Sequence, residues 1–452
     1  MSDDAAHGTG GPAPRGRRAY SLTTLLLAAL LGCGVQEVRG AREEGTLPVV
    51  RLGIDVLLSD SLHLLRGRRV GLITNQTGRG RFSSGAGEPG SAGPGSATRA
   101  SGLPGVSTID LLYRHPAVEL VALFSPEHGI RGVADPGASI ASGRDAATGL
   151  PIYSLYGRTR KPTAEMLEGI DVLVFDIQDI GTRYYTYVWT MALAMQAAAE
   201  HRLDFVVLDR PNPLGGHLVQ GNILDTAYAS FVGLYPVPMR HGLTAGELAR
   251  FLNAEHGIGA ELVVVPMQGW RREQWYDQTG LPWIPPSPNM PSLESATHYP
   301  GTCLFEGTNL SVGRGTRAPF QQIGAPWLDA ETLVRRLNAY GLPGVRFEPV
   351  RFTPAAPGDG KFDGVAVRGI RFIATDRDRY DPTRAAVAAL IEIRRLHPDR
   401  LTWRTAHFDR LAGTDRLRKR ITAGATLEEV TAHWSAERAA FVERRAKYLL
   451  YR

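Results

Sequence analysis

The chain has 452 residues, of which 43% are hydrophobic and 21% are charged. These proportions are typical of a globular protein with two or three domains, and they exclude the fibrous and membrane-spanning classes. The formal charge of +6 comes from scattered Lys and Arg rather than from a basic block, so the sequence predicts no nucleic-acid partner.

The amino terminus has the order of a bacterial export signal. Three arginines within 15–18 precede an apolar stretch, 22–31, that is too short to span a bilayer. The Leu-Leu-Gly-Cys sequence that ends at Cys33 resembles a lipobox, in which the cysteine is lipidated and becomes the first mature residue. We therefore predict a signal segment over 1–33, a tether over 34–48, and a lipid anchor on Cys33 that holds the exported protein at the cell envelope. The alternative is an ordinary cleaved signal, which would leave a periplasmic or secreted protein.

Beyond the tether, predicted strands alternate with predicted helices. In chain order they are a strand over 69–74, a helix over 108–115, a strand over 118–124, a helix over 163–169, a strand over 171–176, a helix over 188–202, a strand over 205–209, a helix over 243–256 and a strand over 262–265. This alternation favours a doubly wound parallel sheet of the Rossmann-like α/β class. Thr244 and Glu247 have the spacing of a capping box, so we expect Glu247 to be structural.

Two stretches interrupt this pattern. Residues 79–106 are rich in Gly, Ser, Ala and Pro and predict a mobile surface loop. Residues 270–320 are poor in periodicity but dense in Pro, Gly, Asn and aromatics, which is typical of a functional loop region rather than of disorder. The later sequence predicts helices over 330–340, 383–396 and 426–450 and strands over 345–352 and 365–373. We expect a catalytic domain over 49–325 and a smaller α/β domain over 326–452.

Polar side chains follow the predicted strands of the first domain. They are Asn75 after the first strand, Glu127 and His128 after the second, Asp176, Gln178 and Asp179 after the third, and Arg210 and Asn212 after the fourth. Because ligands bind outside the carboxyl ends of parallel strands, we expect these groups to converge on one crevice. The alternative for the second strand is that Glu127 caps a following helix and His128 packs in the core.

Several familiar kinds of site are missing from the sequence. No Gly-x-Ser-x-Gly elbow, His-Glu-x-x-His pair or P-loop occurs, and the histidines lack metal-ligand spacing. Gly313, Gly315 and Ala318 faintly resemble a dinucleotide fingerprint, but Pro319 follows and no helix is predicted there. Cys303 is the only cysteine besides Cys33, so no disulfide framework is expected. We therefore predict neither a metal nor a cofactor.

The remaining carboxylates, amides, arginines and aromatics suit the hydrolysis of an acetal. That reaction needs a carboxylic acid to protonate the leaving oxygen and an anionic group to stabilise or trap the oxocarbenium ion. Glu127 suits the acid role. The candidate partners are Asp176, Asp179 and Glu306. An aromatic cluster that includes Tyr184 and Tyr185 predicts a sugar platform, with core packing as the alternative.

Six segments carry a strong family resemblance. They are SPEHGIRG at 125–132, TGLPIYSLYG at 148–157, FDIQDIGTRYYTY at 175–187, LDRPNPLGG at 208–216, PSPNMP at 286–291 and FEGTNLSVGRGT at 305–316. Together they resemble the NamZ-type exo-β-N-acetylmuramidases, and the resemblance runs from about Gly53 to the carboxyl terminus. It implies release of N-acetylmuramic acid from the non-reducing ends of peptidoglycan fragments, in a cleft between a Rossmann-like domain and a smaller second domain. It also implies that Glu127 is the catalytic residue. The chain departs from the family pattern in its Gly/Ser insertion and its apparent lipid anchor.

The implied substrate bears a lactyl carboxylate, for which a guanidinium fork is the natural partner. The candidates are Arg131, Arg183, Arg210 and Arg314, each of which could equally bind a carboxylate of the protein itself. Asn289 and Asn309, in the family segments, join Asn75, His128, Gln178 and Asn212 as candidate substrate-binding residues. Two competing functions remain: a non-catalytic lipoprotein that binds muropeptides or sugars, and a different hydrolase such as an amidase.

Overall fold

A computed structural model describes residues 49–81, 104–130 and 142–452. The predicted signal and tether, Cys33 and Arg131 lie outside these residues. The described residues belong to one compact unit, so the predicted domain boundary after residue 325 stays a prediction. Within the same ranges, no helix combines the length and the apolar character needed to cross a membrane.

The described residues contain fourteen strands, which alternate with helices along the first half of the chain. They are β1 (Arg69–Thr74), β2 (Arg79–Gly80), β3 (Val106–Ser107), β4 (Glu119–Ser125), β5 (Gly143–Arg144), β6 (Pro151–Ser154), β7 (Val172–Asp176), β8 (Asp204–Leu208), β9 (Gln220–Ile223), β10 (Pro238–Arg240), β11 (Glu261–Val265), β12 (Gln322–Ala325), β13 (Val345–Phe352) and β14 (Val367–Ala374). The strand predictions for β1, β4, β7, β8, β11, β13 and β14 are confirmed to within two residues.

The central sheet has seven strands within the described residues, in the order β11-β8-β7-β1-β4-β6-β5. All neighbouring pairs are parallel except β5 with β6 at one edge. From β1 the chain winds outward first through β4 and β6 and then, on the other side, through β7, β8 and β11. This order confirms the doubly wound, Rossmann-like prediction. Ile73 is paired with Phe124, and Thr74 with Asp176, so the carboxyl ends of β1, β4 and β7 are level.

The helices are α1 (Gly53–Asp60), α2 (Thr108–Tyr113), α3 (Ala164–Leu167), α4 (Tyr187–His201), α5 (Ala245–Glu255), α6 (Leu293–Thr302), α7 (Ala330–Ala339), α8 (Pro382–Leu396), α9 (Thr405–Ala412), α10 (Arg416–Thr422), α11 (Leu427–Thr431) and α12 (Trp434–Arg445). The predicted capping box of α5 is confirmed: Glu247 N–H donates to Thr244 Oγ1 (3.2 Å), and Thr244 N–H donates to Glu247 Oε2 (3.1 Å). Glu247 is therefore a structural residue, as expected.

Alternate side chains of the central strands enter two cores, one on each face of the sheet. Val70, Leu72 and Val174 pack in the core that includes α1 and α2. Ile73 and Phe175 point the other way, into a larger core that continues through α4 and α5 into the carboxyl-terminal part of the chain. The two halves of the protein therefore share one continuous core.

The carboxyl-terminal domain is built on an antiparallel sheet in the order β12-β14-β13. Two predictions in this half are wrong. The aperiodic region contains α6, which begins at the N-cap Ser292 and has Pro300 in its last turn, where a proline signals a break. The single helix predicted over 426–450 is two helices, α11 and α12. The chain beyond them leaves the helical path, and Tyr451 hydroxyl donates to Asp209 Oδ2 (2.6 Å).

The predicted mobile loop over 79–106 is ordered at both ends. β2 pairs with β3, and the buried Arg79 side chain donates to the carbonyls of Pro104 (2.7 Å) and Gly105 (2.6 Å). The prediction is wrong for these flanks because Arg79 supplies the hydrogen bonds that the composition did not suggest. Residues 82–103 lie outside the described part of the chain.

Candidate active site

Glu127 lies two residues beyond β4, at the level of the ends of β1 and β7. Its carboxylate is partly exposed, and Thr186 Oγ1 donates to Glu127 Oε2 (2.7 Å). Tyr156, which follows β6, also interacts with this carboxylate. Burial raises the pKa of Tyr156, and the nearby charge of Glu127 raises it further. Two separate elements therefore hold the carboxylate at the sheet edge.

The backbone turns sharply around Glu127. His128 has φ of 70° and Gly129 has φ of 78°, both in the left-handed region, and Gly129 N–H donates to the carbonyl of Pro126 (3.1 Å). A left-handed conformation costs about 1–2 kcal/mol for a residue with a side chain. His128 is buried, at 5% exposure, so its ring faces the protein rather than an open crevice. Strain of this kind is typical of functional turns that preorganise a side chain.

The charges of Glu127 and of a second carboxylate, Asp179, both act on Tyr185. Burial raises the pKa of the Tyr185 phenol, and the charges of Glu127 and Asp179 both add to this. Its ring packs edge-to-face on Tyr187 (centroids 5.1 Å apart) and Tyr299 (6.0 Å). The exposed sugar platform is therefore not observed. Tyr185 is instead buried among other aromatic rings.

Asp179 is a buried carboxyl with an unusual pKa. Gly181 N–H donates to its Oδ2 (2.7 Å), whereas Oδ1 has no hydrogen-bond partner among the described residues. Burial raises the pKa of Asp179 to about 7, despite the opposing hydrogen bonds from the backbone of Gly181 and Ile180. A carboxyl in this state changes charge near neutral pH, which is a property of catalytic acids and bases.

His241, which follows β10, is not among the site residues predicted from the sequence. Leu243 N–H donates to its Nδ1 (3.2 Å), so the neutral ring carries its proton on Nε2. That nitrogen lies 3.9 Å from Asp179 Oδ2 and has no hydrogen-bond partner in the described ranges. Burial and the positive charges of Arg445 and Arg240 lower the pKa of His241 to about 3. No motif marks this histidine, because its environment comes from distant segments.

Two amide side chains, those of Asn75 and Gln178, lie at the same edge of the central sheet. Asn75 Oδ1 accepts hydrogen bonds from Thr77 N (2.9 Å) and Thr77 Oγ1 (2.5 Å), while its Nδ2 lies near Tyr187 without an acceptor in hydrogen-bonding geometry. Gln178 Nε2 donates to the carbonyls of Asp179 (2.8 Å) and Pro211 (2.7 Å), and its Oε1 has no donor among the described residues. Buried polar atoms are normally paired. A concentration of unpaired ones at one sheet edge is therefore typical of a site that awaits a polar ligand.

Asp176 and Arg210, two of the predicted site residues, neutralise each other. Arg210 donates from Nε to Asp176 Oδ1 (2.5 Å) and from Nη2 to Oδ2 (2.9 Å), and Thr108 Oγ1 also donates to Oδ2 (2.5 Å). Asp176 has no exposed surface, and Arg210 is 5% exposed. Both side chains are therefore occupied in joining β7 and β8 to α2, and we exclude them from the reacting groups.

Four other predicted residues are also occupied in structural contacts. Arg183 is fully buried and donates to the carbonyls of Asn222, Val237, Leu411 and Ala412, at 2.9–3.0 Å. Tyr184 hydroxyl donates to the carbonyl of Pro300 (3.1 Å), which confirms the core-packing alternative for this ring. Asn212 and Asn309 bond backbone groups of Leu243, Leu214, Arg400 and Thr402. Arg183, Tyr184 and Asn212 are buried, and Asn309 is bound to backbone groups, so all four side chains are engaged in contacts within the protein.

Glu306 and Arg314 form an ion pair near Tyr299, the ring that contacts Tyr185. Arg314 Nε donates to Glu306 Oε1 (2.7 Å), and the charge of Glu306 reaches Tyr299, whose ring contacts Tyr185. Burial opposes the ionisation of Glu306, but Arg314 outweighs it and holds the pKa below the ordinary value. Glu306 is therefore a fixed anion rather than a proton donor.

Asn289 lies in the segment that covers the same edge. It is partly exposed, and its side chain makes no hydrogen bond within the described ranges. Its neighbour Ser287 interacts with the Tyr185 hydroxyl, and the carbonyl of Pro286 accepts from Tyr187 hydroxyl (2.6 Å). The 286–291 segment thus contacts Tyr185 and Tyr187 and also carries the partly exposed amide of Asn289. No group of three or more His, Cys, Asp or Glu within the described ranges is placed to hold a metal ion.

Known proteins resemble this chain over most of its length. The family models described as exo-β-N-acetylmuramidase NamZ, N-terminal and C-terminal, match residues 70–294 and 297–451. Peptidoglycan β-N-acetylmuramidase NamZ of Bacillus subtilis (strain 168) is 43% identical over 431 residues, which are 95% of this chain and 98% of the relative.

Two crystal structures of DUF1343-family proteins from Bacteroides fragilis are also similar. One is 40% identical with a TM-score of 0.79, and the other is 32% identical with a TM-score of 0.68. Each alignment covers 89% of this chain and 99% of the solved chain. The resemblance inferred from the motifs is confirmed, and the chain belongs to the NamZ family of exo-β-N-acetylmuramidases.

Proposed function

We infer that this protein is an exo-acting glycoside hydrolase that releases N-acetylmuramic acid from the non-reducing end of peptidoglycan fragments. The observation that carries this inference is the Glu127 carboxylate, partly exposed on a strained turn at the end of β4 and bound by Thr186. The printed activity of the Bacillus subtilis relative supports the same reaction and substrate.

Glu127 acts as the general acid. Thr186 donates to Oε2, and the protonated carboxyl supplies its proton to the glycosidic oxygen. As the bond from the anomeric carbon to the glycosidic oxygen breaks, its electron pair stays on that oxygen and receives this proton. The sugar is left as an oxocarbenium-like species that needs an anion nearby. A water molecule then adds to the anomeric carbon and gives up a proton to one of the two carboxylates, which completes the hydrolysis.

Asp179 is the second carboxyl group of the reaction. Asp176 and Glu306 are each neutralised by an arginine, whereas Asp179 Oδ1 has no partner in the described residues. In its ionised form Asp179 stabilises the positive charge on the sugar, and the Nε2 hydrogen of His241 faces this carboxyl across 3.9 Å. Proton NMR of the first-formed anomer will distinguish a retaining reaction from an inverting one.

The decisive experiment compares Glu127→Gln with the wild-type protein on a chromogenic N-acetylmuramide and on a muropeptide. Gln keeps the acceptor for Thr186 but loses the titrating proton, so turnover of the muropeptide should fall by about a hundredfold or more. The chromogenic substrate should recover part of the rate, because its leaving group needs less protonation. Glu165→Gln, on the exposed surface of α3, is the matched control and should retain full activity.

Three outcomes would contradict parts of this assignment. Near-normal turnover of both substrates by Glu127→Gln would transfer the acid role to Asp179, whose Oδ1 has no partner among the described residues. Tight binding of muropeptides by the wild-type protein without release of sugar would favour the binding lipoprotein. An unfolded Glu127→Gln variant would favour a structural role for this residue.

We also propose that the protein is exported and anchored to the cell envelope through a lipid on Cys33, on the basis of the basic, apolar, Gly-Cys order of its first 33 residues. Mass spectrometry of the mature protein should find Cys33 as its first residue with a diacylglyceryl mass increment. A mature start at another residue, without lipid on Cys33, would replace the anchor with an ordinary cleaved signal.

A further inference from the structure

The carboxyl-terminal domain carries a cavity of about 340 Å³ at one end of its antiparallel sheet. Its lining comes from the segment before and at the start of α7 and from neighbouring positions of β13 and β14. The lining residues that matter here are Trp327, Asp329, Glu331, Arg351 and Arg368. None of them belongs to the site around Glu127. The volume is within the range of small-ligand sites.

Two arginines lie side by side on neighbouring strands of this sheet. Arg351 of β13 is paired directly with Arg368 of β14, and both side chains are exposed. Neither makes an ion pair or a side-chain hydrogen bond with any residue in the described ranges. Directly opposed like charges destabilise a sheet. An anion held between the two guanidinium groups would remove this repulsion and accept several charge-assisted hydrogen bonds.

The other wall supplies an aromatic ring and acceptors. Trp327 is partly buried, and its contact with the His397 ring (centroids 5.2 Å apart) fixes the indole at the cavity wall. Asp329 is the N-cap of α7, and Thr332 N–H donates to its Oδ1 (3.1 Å). Hydrogen bonds from Thr332 lower the pKa of Asp329, so it remains an acceptor at neutral pH. The exposed carboxylate of Glu331 stands beside it.

This set of groups matches one ligand chemistry. An indole packs on the apolar face of a sugar ring, carboxylates accept from sugar hydroxyls, and an arginine pair binds a carboxylate. Asp329 and Glu331 would repel a densely charged polymer, which favours a neutral sugar body with a single acidic arm. We propose that this cavity is an accessory binding site for a carboxylate-bearing sugar, which holds a peptidoglycan strand outside the active site. Only the naming of the strand as peptidoglycan rests on the proposed function.

The test removes both arginines and leaves the active site untouched. The variant R351Q/R368Q should sediment about tenfold more weakly than the wild-type protein with insoluble peptidoglycan whose stem peptides have been removed, which leaves its lactyl carboxylates free, because two charge-assisted contacts are lost. Its turnover of a soluble chromogenic N-acetylmuramide should be unchanged. The matched control R346Q/R379Q removes the same charge from exposed positions of β13 and of the segment after β14 that do not line the cavity. It should sediment like the wild-type protein.

Competition identifies the ligand. Free N-acetylmuramic acid should displace the wild-type protein from the sediment, whereas N-acetylglucosamine, which lacks the carboxylate, should not. Equal loss of sedimentation in both double variants would overturn the proposal in favour of overall charge. Equal displacement by inorganic phosphate would overturn it in favour of a general anion site. Arginine-dependent sedimentation by a protein without glycosidase activity would refute the proposed function and keep the accessory site.

Discussion

Replacing Asp179 with Asn should change how the stability of the protein depends on pH. The carboxyl ionises at 3.8 in an ordinary setting and at about 7 in the folded protein, because burial disfavours its charge. Between these values the folded state binds one more proton than the unfolded state. The free energy of unfolding therefore falls as the pH rises through this window, and about three pKa units correspond to about 4 kcal/mol.

The Asn variant lacks this titration. Its amide oxygen can still accept from Gly181 N–H, as Asp179 Oδ2 does. About two pKa units of the window lie above pH 5, so the stability of Asp179→Asn relative to the wild-type protein should increase by about 3 kcal/mol between pH 5 and pH 8. Urea denaturation of both proteins at the two pH values measures this difference. Turnover should fall by about a hundredfold, because the second acid is lost.

Asp171→Asn is the matched control for this measurement. Its carboxyl binds Arg69 at the surface, and the side-chain hydrogen bond from Arg69 lowers the pKa of Asp171 below its ordinary value. The carboxyl is thus ionised at both pH values in the folded and unfolded states. Its stability difference should be constant between pH 5 and pH 8. A constant difference for Asp179→Asn as well would refute the raised pKa and the catalytic state derived from it.

Two further replacements test the residues that we exclude from catalysis. Asp176→Asn leaves Arg210 buried beside a neutral group and should cost about 3–5 kcal/mol in urea denaturation, while folded molecules keep most of their turnover. A hundredfold loss of turnover without loss of stability would return Asp176 to the catalytic groups. Arg183→Met leaves four buried carbonyls without a donor and should cost about 3 kcal/mol or more by the same measurement. A stable but inactive Arg183→Met variant would instead indicate a substrate contact.

Much of the central sheet could be predicted because its strands are short apolar runs between turn signals. The bounds of β1 and β13 agree with the predictions at both ends. The elements that were missed have weaker local signals. β6 is a four-residue strand whose burial depends on β4 beside it, and α6 keeps its helical path through Pro300 because its face packs against α8. These elements owe their structure to tertiary contacts, which a local pattern does not contain.

The residues of the candidate site also divide into those with a local signal in the sequence and those whose state depends on tertiary contacts. Glu127, Asp179, Gln178 and Asn75 could be proposed from the sequence because strand ends in a parallel sheet converge on one edge. The sequence alone did not distinguish these four from residues such as Asp176, Arg210 and Arg183, whose side chains are occupied by contacts within the protein. Arg183 donates from Nη1 and Nη2 to the carbonyls of residues 222, 237, 411 and 412, which come together only in the folded chain. The sequence contains the charges of a site, but their neutralisation is decided by long-range packing.

His241 shows how far this long-range control extends. Arg445 of α12 donates from Nη1 to the carbonyls of Gly216 (3.1 Å), His241 (3.0 Å) and Gly242 (2.5 Å). The same guanidinium helps to lower the pKa of His241 and so keeps the ring neutral beside Asp179. A protonated His241 at that position would stabilise the Asp179 anion and pull its pKa down. The last helix therefore acts on the charge state of an acid at the edge of the central sheet.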